Sequence, residues 1–180
     1  MERLTFTSIY EDYLRKGTSK EFWLVNTNKL VRNYNGCTGL KTGSTSIALY
    51  NLSASATRNN LSLIAVVLKA PTPAIRFCNA QKLLDYGFSN YTVTSFGKKG
   101  DVIKSVEIKK GTASSVDAIL ENDAEVLMSN GSSKDITQEI KLDDTFTAPI
   151  LEGQKLGEVE FSINGNVVST VNLVANKSSD

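Results

Sequence analysis

Leu61-Ser62-Leu63-Ile64-Ala65-Val66-Val67-Leu68 is a near-continuous apolar run. Such a run predicts a strand at the centre of a sheet, buried on both faces. Pro71 and Pro73 end it. Beyond them Ile75, the stretch Asn79 to Leu84 and Phe88 repeat apolar positions at three-to-four spacing, the pattern of an amphipathic helix lying on that sheet. A sheet with one covering helix is an α+β or α/β unit. Upstream, residues 4–25 support two readings. Phe6, Ile9, Tyr10, Tyr13 and Leu14 fit a helix, whereas Thr5-Phe6-Thr7-Ser8-Ile9 fits a strand leading into a turn at Lys16-Gly17.

Past residue 90 the pattern changes. Alternation in Ile136-Thr137-Gln138-Glu139-Ile140-Lys141-Leu142 and in Val159-Glu160-Phe161-Ser162-Ile163 predicts strands with one apolar face and one wet face. Asn130-Gly131 and Asn164-Gly165 are two-residue hairpin signals, because both turn positions require positive φ. The charge changes at the same point. Residues 1–90 hold 11 Lys and Arg against 5 Asp and Glu, and residues 91–180 hold 9 against 14. A reversal of this kind marks a domain boundary, placed in Tyr86-Gly87-Phe88-Ser89-Asn90-Tyr91. The second half is read as a small antiparallel β domain.

Composition bounds the chemistry. With 180 residues, 41% apolar, 22% charged and a net charge of +1, the chain is globular and large enough for one core or two small ones. It contains no histidine, so a Ser-His-Asp triad, a Cys-His pair, a histidine-ligated zinc site and a histidine proton shuttle are excluded. Cys37 and Cys78 are too few for a disulfide scaffold or an all-cysteine zinc site; one bridge is open to them, and buried inert thiols are the default state. No apolar stretch is long enough for a spanning helix, and the opening residues lack the layout of an export signal. The first half has no basic stripe interleaved with stacking aromatics, so no nucleic-acid partner is expected.

The sharpest motif is Gly39-Leu40-Lys41-Thr42-Gly43-Ser44-Thr45. A phosphate-binding loop requires Gly immediately before Lys-Ser/Thr, and Leu40 occupies that place, so a nucleotide reading is rejected. Lys-Thr-Gly is also the third motif of the penicillin-recognising serine enzymes. Its surroundings sharpen the match: Asn26-Thr27-Asn28-Lys29-Leu30 ahead of it, then Leu52-Ser53-Ala54-Ser55-Ala56-Thr57-Arg58-Asn59, the apolar run to Leu68, and Ala70-Pro71-Thr72 before Arg76. That succession resembles the low-molecular-mass penicillin-binding proteins, serine-type D-alanyl-D-alanine carboxypeptidases of bacterial cell walls. The resemblance is strong from 26 to 90 and looser beyond, where the family has a trailing β domain.

The resemblance implies an α+β chain. Residues 1–90 would be the C-terminal part of a catalytic domain, antiparallel strands with a covering helix, and residues 91–180 a small all-β domain. It implies a peptidoglycan stem peptide ending in D-Ala-D-Ala as partner, no cofactor and no metal. An extended peptide ending in a carboxylate can lie along an edge strand and have its charge met by a cation. On that pattern Lys41 supplies positive charge, Thr42 a hydroxyl, and Gly43 a strand position without a side chain where substrate approaches. The Ser44 backbone N–H becomes a donor to the oxyanion. Arg76 matches a family arginine that holds the substrate carboxylate; its plainer use is a cap or ion pair on its own helix. Arg58 is expected to be an exposed hairpin charge.

The family's nucleophile motif, Ser-x-x-Lys, and its Ser-x-Asn motif precede Lys-Thr-Gly, and here they do not. Ser95-Phe96-Gly97-Lys98 and Ser162-Ile163-Asn164 match by spelling but follow it, the first in a Gly-Lys-Lys-Gly loop and the second running into a hairpin turn. A serine activated by a lysine one helical turn away cannot be built at a β-hairpin tip. These residues are therefore expected to be inactive alone and to react with β-lactams only when the nucleophile-bearing part is supplied. The family implies an extracytoplasmic place in the bacterial envelope, although no export signal or membrane anchor is read in these residues. A second reading is a non-catalytic module that holds cell-wall peptides or a partner protein.

Overall fold

The computed structural model describes residues 2–131, 136–143 and 145–180. They form an α+β protein that divides into two compact units, Met1–Thr92 and Val93–Asp180.

The ambiguous opening holds both predicted structures in succession. A helix α1 (Glu2–Thr7) is followed by a ribbon of β1 (Glu11–Leu14) and β2 (Phe22–Val25), turned with Gly17 at φ +78°. A short α2 (Leu30–Asn33) leads to three antiparallel strands, β3 (Cys37–Thr45), β4 (Leu49–Arg58) and β5 (Leu61–Ala70), in the order β3-β4-β5. The helix α3 (Pro73–Asn90) lies on one face of this sheet. Thr72 caps it, its Oγ1 accepting the Ile75 N–H at 3.2 Å, and Pro73 fits the first turn, where no amide donor is needed. Arg76, Ala80, Leu84 and Gly87 form its buried stripe, and Ala80 and Leu84 pack with Leu52, Ala54, Ala65 and Val67 of the sheet.

The expectation for Leu61–Leu68 needs correction. β4, not β5, is the central strand, and β5 alternates. Leu61, Ala65, Val67 and Ala70 are buried, while Ile64, Val66 and Leu68 are 68, 56 and 72% exposed. A continuous apolar run records two faces meant for apolar surroundings, and among the described residues only the α3 side is covered.

The second unit contains β6 (Tyr91–Gly97), β7 (Val102–Lys109), β8 (Ser115–Leu120), β9 (Ala124–Ser129), β10 (Ile136–Leu142), β11 (Phe146–Thr147), β12 (Lys155–Ile163) and β13 (Asn166–Ala175). Six of these make a sheet in the order β10-β12-β13-β8-β7-β11, and β6 pairs with β9. Val116, Ala118, Leu120, Leu156, Val159 and Leu173 centre the core, with Phe96 stacked on Phe161 at 5.0 Å between centroids. Asn164 and Gly165, at φ +51° and +79°, turn β12 into β13 as predicted. Asn130-Gly131 does not make such a hairpin: β9 pairs with β6 and β10 with β12. Residues 136–142 do form a strand, but β10 sits at the sheet edge and its expected dry face is not buried; Ile136 and Ile140 are 38 and 39% exposed.

Candidate functional site

The Lys-Thr-Gly motif lies on β3, the outer strand of its sheet. Lys41, Thr42, Gly43 and Ser44 stand opposite Ser53, Leu52, Asn51 and Tyr50 of β4. Because Leu52 faces the α3 side, strand alternation puts Thr42 and Ser44 on that side and Lys41 and Gly43 on the other. The exposed Lys41 Nζ donates to the Thr42 carbonyl at 2.9 Å. The Thr42 and Thr27 hydroxyls share a hydrogen bond of 2.7 Å. Ser44 is exposed.

The glycines of this strand differ in why they are glycine. A Cβ at Gly39 would strike Thr7, and one at Gly36, just before the strand, would come within 2.5 Å of the Thr57 carbonyl. Chain packing therefore demands both. At Gly43 a Cβ would meet nothing within 4 Å. Packing inside this chain does not require glycine there.

Arg76 reaches from α3 to the same end of the sheet. It is 8% exposed, its Nη1 donates to the Asn51 carbonyl at 3.4 Å, and its guanidinium lies 4.7 Å from the Phe77 ring and 5.7 Å from Tyr50. Its Nε has no hydrogen-bond partner, and among the described residues no carboxylate pairs with it. A buried guanidinium in that state retains an unspent capacity for an anion.

Two contributors escaped sequence reading. Asn51, opposite Gly43, donates from Nδ2 to the Ala48 and Leu49 carbonyls and accepts the Lys69 N–H on Oδ1 at 2.9 Å, fixing the turn after the motif while its carbonyl holds Arg76. Thr27 belongs to a knot of polar residues. Asn26 donates to the Thr7 and Ile9 carbonyls, and its Oδ1 accepts from the Asn28 N–H. Asn28 is wholly buried, with Oδ1 accepting the Leu30 N–H. The available signal was the Asn-x-Asn spacing, since asparagine side chains bond backbone amides a residue or two along the chain.

Arg58 is not the free hairpin charge expected of it. It is partly buried between the Tyr34 and Phe88 rings, 4.5 Å from each centroid, and its Nε donates to the Asn35 carbonyl at 3.0 Å. Tyr34 in turn donates to Asp85 at 2.6 Å; burial, then this bond, push its hydroxyl up to about 12. Cys37 and Cys78 are free thiols. Cys37 is half-buried, donates to the Gly39 carbonyl and is pushed up by burial. Cys78 is exposed, against the expectation of two buried thiols.

Residues 91–180 match the family described as penicillin-binding protein 5, C-terminal domain, and residues 1–72 match D-alanyl-D-alanine carboxypeptidase. The chain belongs to the low-molecular-mass penicillin-binding proteins. It is 41% identical over 165 residues to the D-alanyl-D-alanine carboxypeptidase DacF of Bacillus subtilis, covering 91% of this chain and 42% of that one. With DacC of Escherichia coli it shares 34% identity over 145 residues, 79% of this chain and 36% of that one. It thus spans about two-fifths of the length of these relatives. The crystal structure of penicillin-binding protein 5 from Haemophilus influenzae superposes with a TM-score of 0.74 at 29% identity, over 98% of this chain and 51% of that chain.

Within this penicillin-binding protein chain the two spelled matches to the missing motifs are not on helices. Ser95 lies on β6 and donates to the Gly97 carbonyl, and Lys98 follows in the turn. Ser162 is the penultimate residue of β12, just before the Asn164-Gly165 turn. No helix among the described residues is long and apolar enough to cross a membrane.

Proposed function

We propose that β3 and Arg76 form the substrate-side wall of a serine-type D-alanyl-D-alanine carboxypeptidase acting on peptidoglycan stem peptides. Residues 1–90 would be the C-terminal part of its catalytic domain, and 91–180 its trailing β domain. The observation that carries this reading is Gly43, a glycine within an outer strand that no contact among the described residues requires. Leaving that position bare suits a second backbone running alongside, as an extended peptide does when it adds to a sheet edge.

The chemistry follows from the strand. On this reading the Thr42 carbonyl, which accepts from the Lys41 side chain, faces the open edge, and the register is unbroken from Gly39 to Thr45. Backbone groups two residues apart point the same way, so the Ser44 N–H faces that edge too. It would meet the oxyanion as the scissile carbonyl is attacked; one such donor is worth about 100- to 1,000-fold in rate. Thr42 and Arg76 share the α3 side, where the hydroxyl and the unspent guanidinium would receive the terminal carboxylate. Lys41 would add positive charge from the other side. The nucleophile would come from a Ser-x-x-Lys helix outside these residues, with the whole enzyme working outside the cytoplasm in a bacterial envelope.

Labelling with a fluorescent penicillin tests this. These 180 residues alone should give no covalent band, since loss of a serine nucleophile costs on the order of a millionfold in turnover. Joined behind the nucleophile-bearing portion of a family member they should be labelled, and Lys41→Ala should slow labelling about 10- to 100-fold. A band from the chain alone, lost on changing one serine, overturns the assignment; an unchanged rate in Lys41→Ala removes Lys41 from the site.

A further inference from the structure

Two residues that are not glycine hold left-handed backbone close to the motif strand. Leu49, the first residue of β4, has φ +51°, and Lys69, near the end of β5, has φ +56°. Such a conformation is uncommon for these residue types and persists where the surroundings over-determine it. Here one side chain binds both. Asn51 Nδ2 donates to the Ala48 and Leu49 carbonyls at 3.1 and 3.3 Å, and its Oδ1 accepts the Lys69 N–H at 2.9 Å. Lys69 belongs to a β-bulge. Tyr50 pairs with Ala70 and Leu52 with Val67, so Asn51 faces Leu68 and Lys69 together.

What the bulge leads to is Arg76. Only Ala70, Pro71 and Thr72 separate Lys69 from Pro73, where α3 starts, so the bulge sets the entry of the turn that carries Arg76. The Asn51 carbonyl meets that turn directly, accepting from Arg76 Nη1 at 3.4 Å. On the other side of β4, Asn51 stands opposite Gly43 of the motif. We propose that Asn51 is a positioning residue for carboxylate recognition: its side chain locks the β3–β4 turn to the bulge, and its carbonyl thereby holds the Arg76 guanidinium, with Nε still unpartnered, for the substrate's terminal carboxylate. This role rests on β3 and Arg76 forming the substrate-side wall, and adds to that wall the residue that keeps its parts in register.

A fluorescent penicillin and its carboxylate methyl ester test the role, on this chain joined behind the nucleophile-bearing portion of a family member. The ratio of the two acylation rates reads carboxylate recognition, whereas a loss of folded protein lowers both rates alike. Arg76→Ala should lower the ratio about 10- to 100-fold. Asn51→Ala should lower it about 10-fold. Combined with Arg76→Ala it should lower the ratio no further, since it acts through that guanidinium. Leu49→Gly with Lys69→Gly, which eases both positive-φ positions while keeping Asn51, should leave the ratio unchanged. If Asn51→Ala does not fold by itself, those two glycines relieve it, and the triple variant should show the same loss. An unmoved ratio in folded Asn51→Ala, beside a lowered one in Arg76→Ala, overturns the role of Asn51 and leaves the wall standing; a further fall in the double variant overturns it as well. An unmoved ratio in Arg76→Ala removes Arg76 from the wall and this role with it.

Discussion

The two units bury their apolar residues differently. In the second, strands from both ends of a six-stranded sheet supply one core, and Leu120, Leu156, Val159 and Leu173 are fully enclosed. In the first, one face of a three-stranded sheet packs on α3, and Ile64, Val66 and Leu68 face outward on the other. Both sequences are comparably apolar along their strands. What differs is whether the chain supplies the other wall, so apolarity alone measures intended burial, and only the topology tells where it is achieved.

The largest expected effect lies in the closed unit. Leu173→Ala should cost about 2–5 kcal/mol, because the β13 site is enclosed and collapses only partly, and should lower a thermal transition belonging to residues 93–180. If instead both units melted together in that variant, their independence would be refuted. An intermediate effect sits in the open unit and depends on pH. Tyr34 is held neutral up to about 12, against an ordinary value of 10.0. Between these values the unfolded chain releases a proton that the folded one retains, so folding stability from this group is full below pH 10 and is lost as pH rises toward 12. All six tyrosines lie at or before Tyr91, which confines this tyrosine contribution to the first unit. Near-ultraviolet titration of tyrosinate should show one late-ionising group that Tyr34→Phe removes. The smallest effect is Leu68→Ser, expected within about 0.5 kcal/mol in denaturant melts, since its side chain is already 72% exposed. A cost like that of Leu173→Ala would mean that the outer face of β5 is covered after all.

What was legible in the sequence was what neighbouring residues decide. Pro71 and Pro73 marked the end of β5, the spacing of Ile75, the stretch Asn79 to Leu84 and Phe88 announced α3, and Asn164-Gly165 announced a hairpin because both residues take positive φ. Asn130-Gly131 carries the same letters, but only Gly131 adopts positive φ, and β9 finds β6 as its partner. The pairing was settled by residues far along the chain, beyond the reach of a dipeptide. The Lys-Thr-Gly residues could be named from their order, whereas Asn51 and Thr27 could not. Their roles depend on contacts with Lys69 and Thr42, 18 and 15 positions away.

The stacking of Arg58 between Tyr34 and Phe88 has a consequence for how the first unit opens. One guanidinium bridges the end of α2, the turn between β4 and β5 and the last turn of α3, three stretches distant in sequence. None of them can fray alone without unstacking that cation from two rings. The backbone amides of these three stretches are therefore coupled into one cooperative opening event, a latch at the far end of the helix from the Thr72 cap.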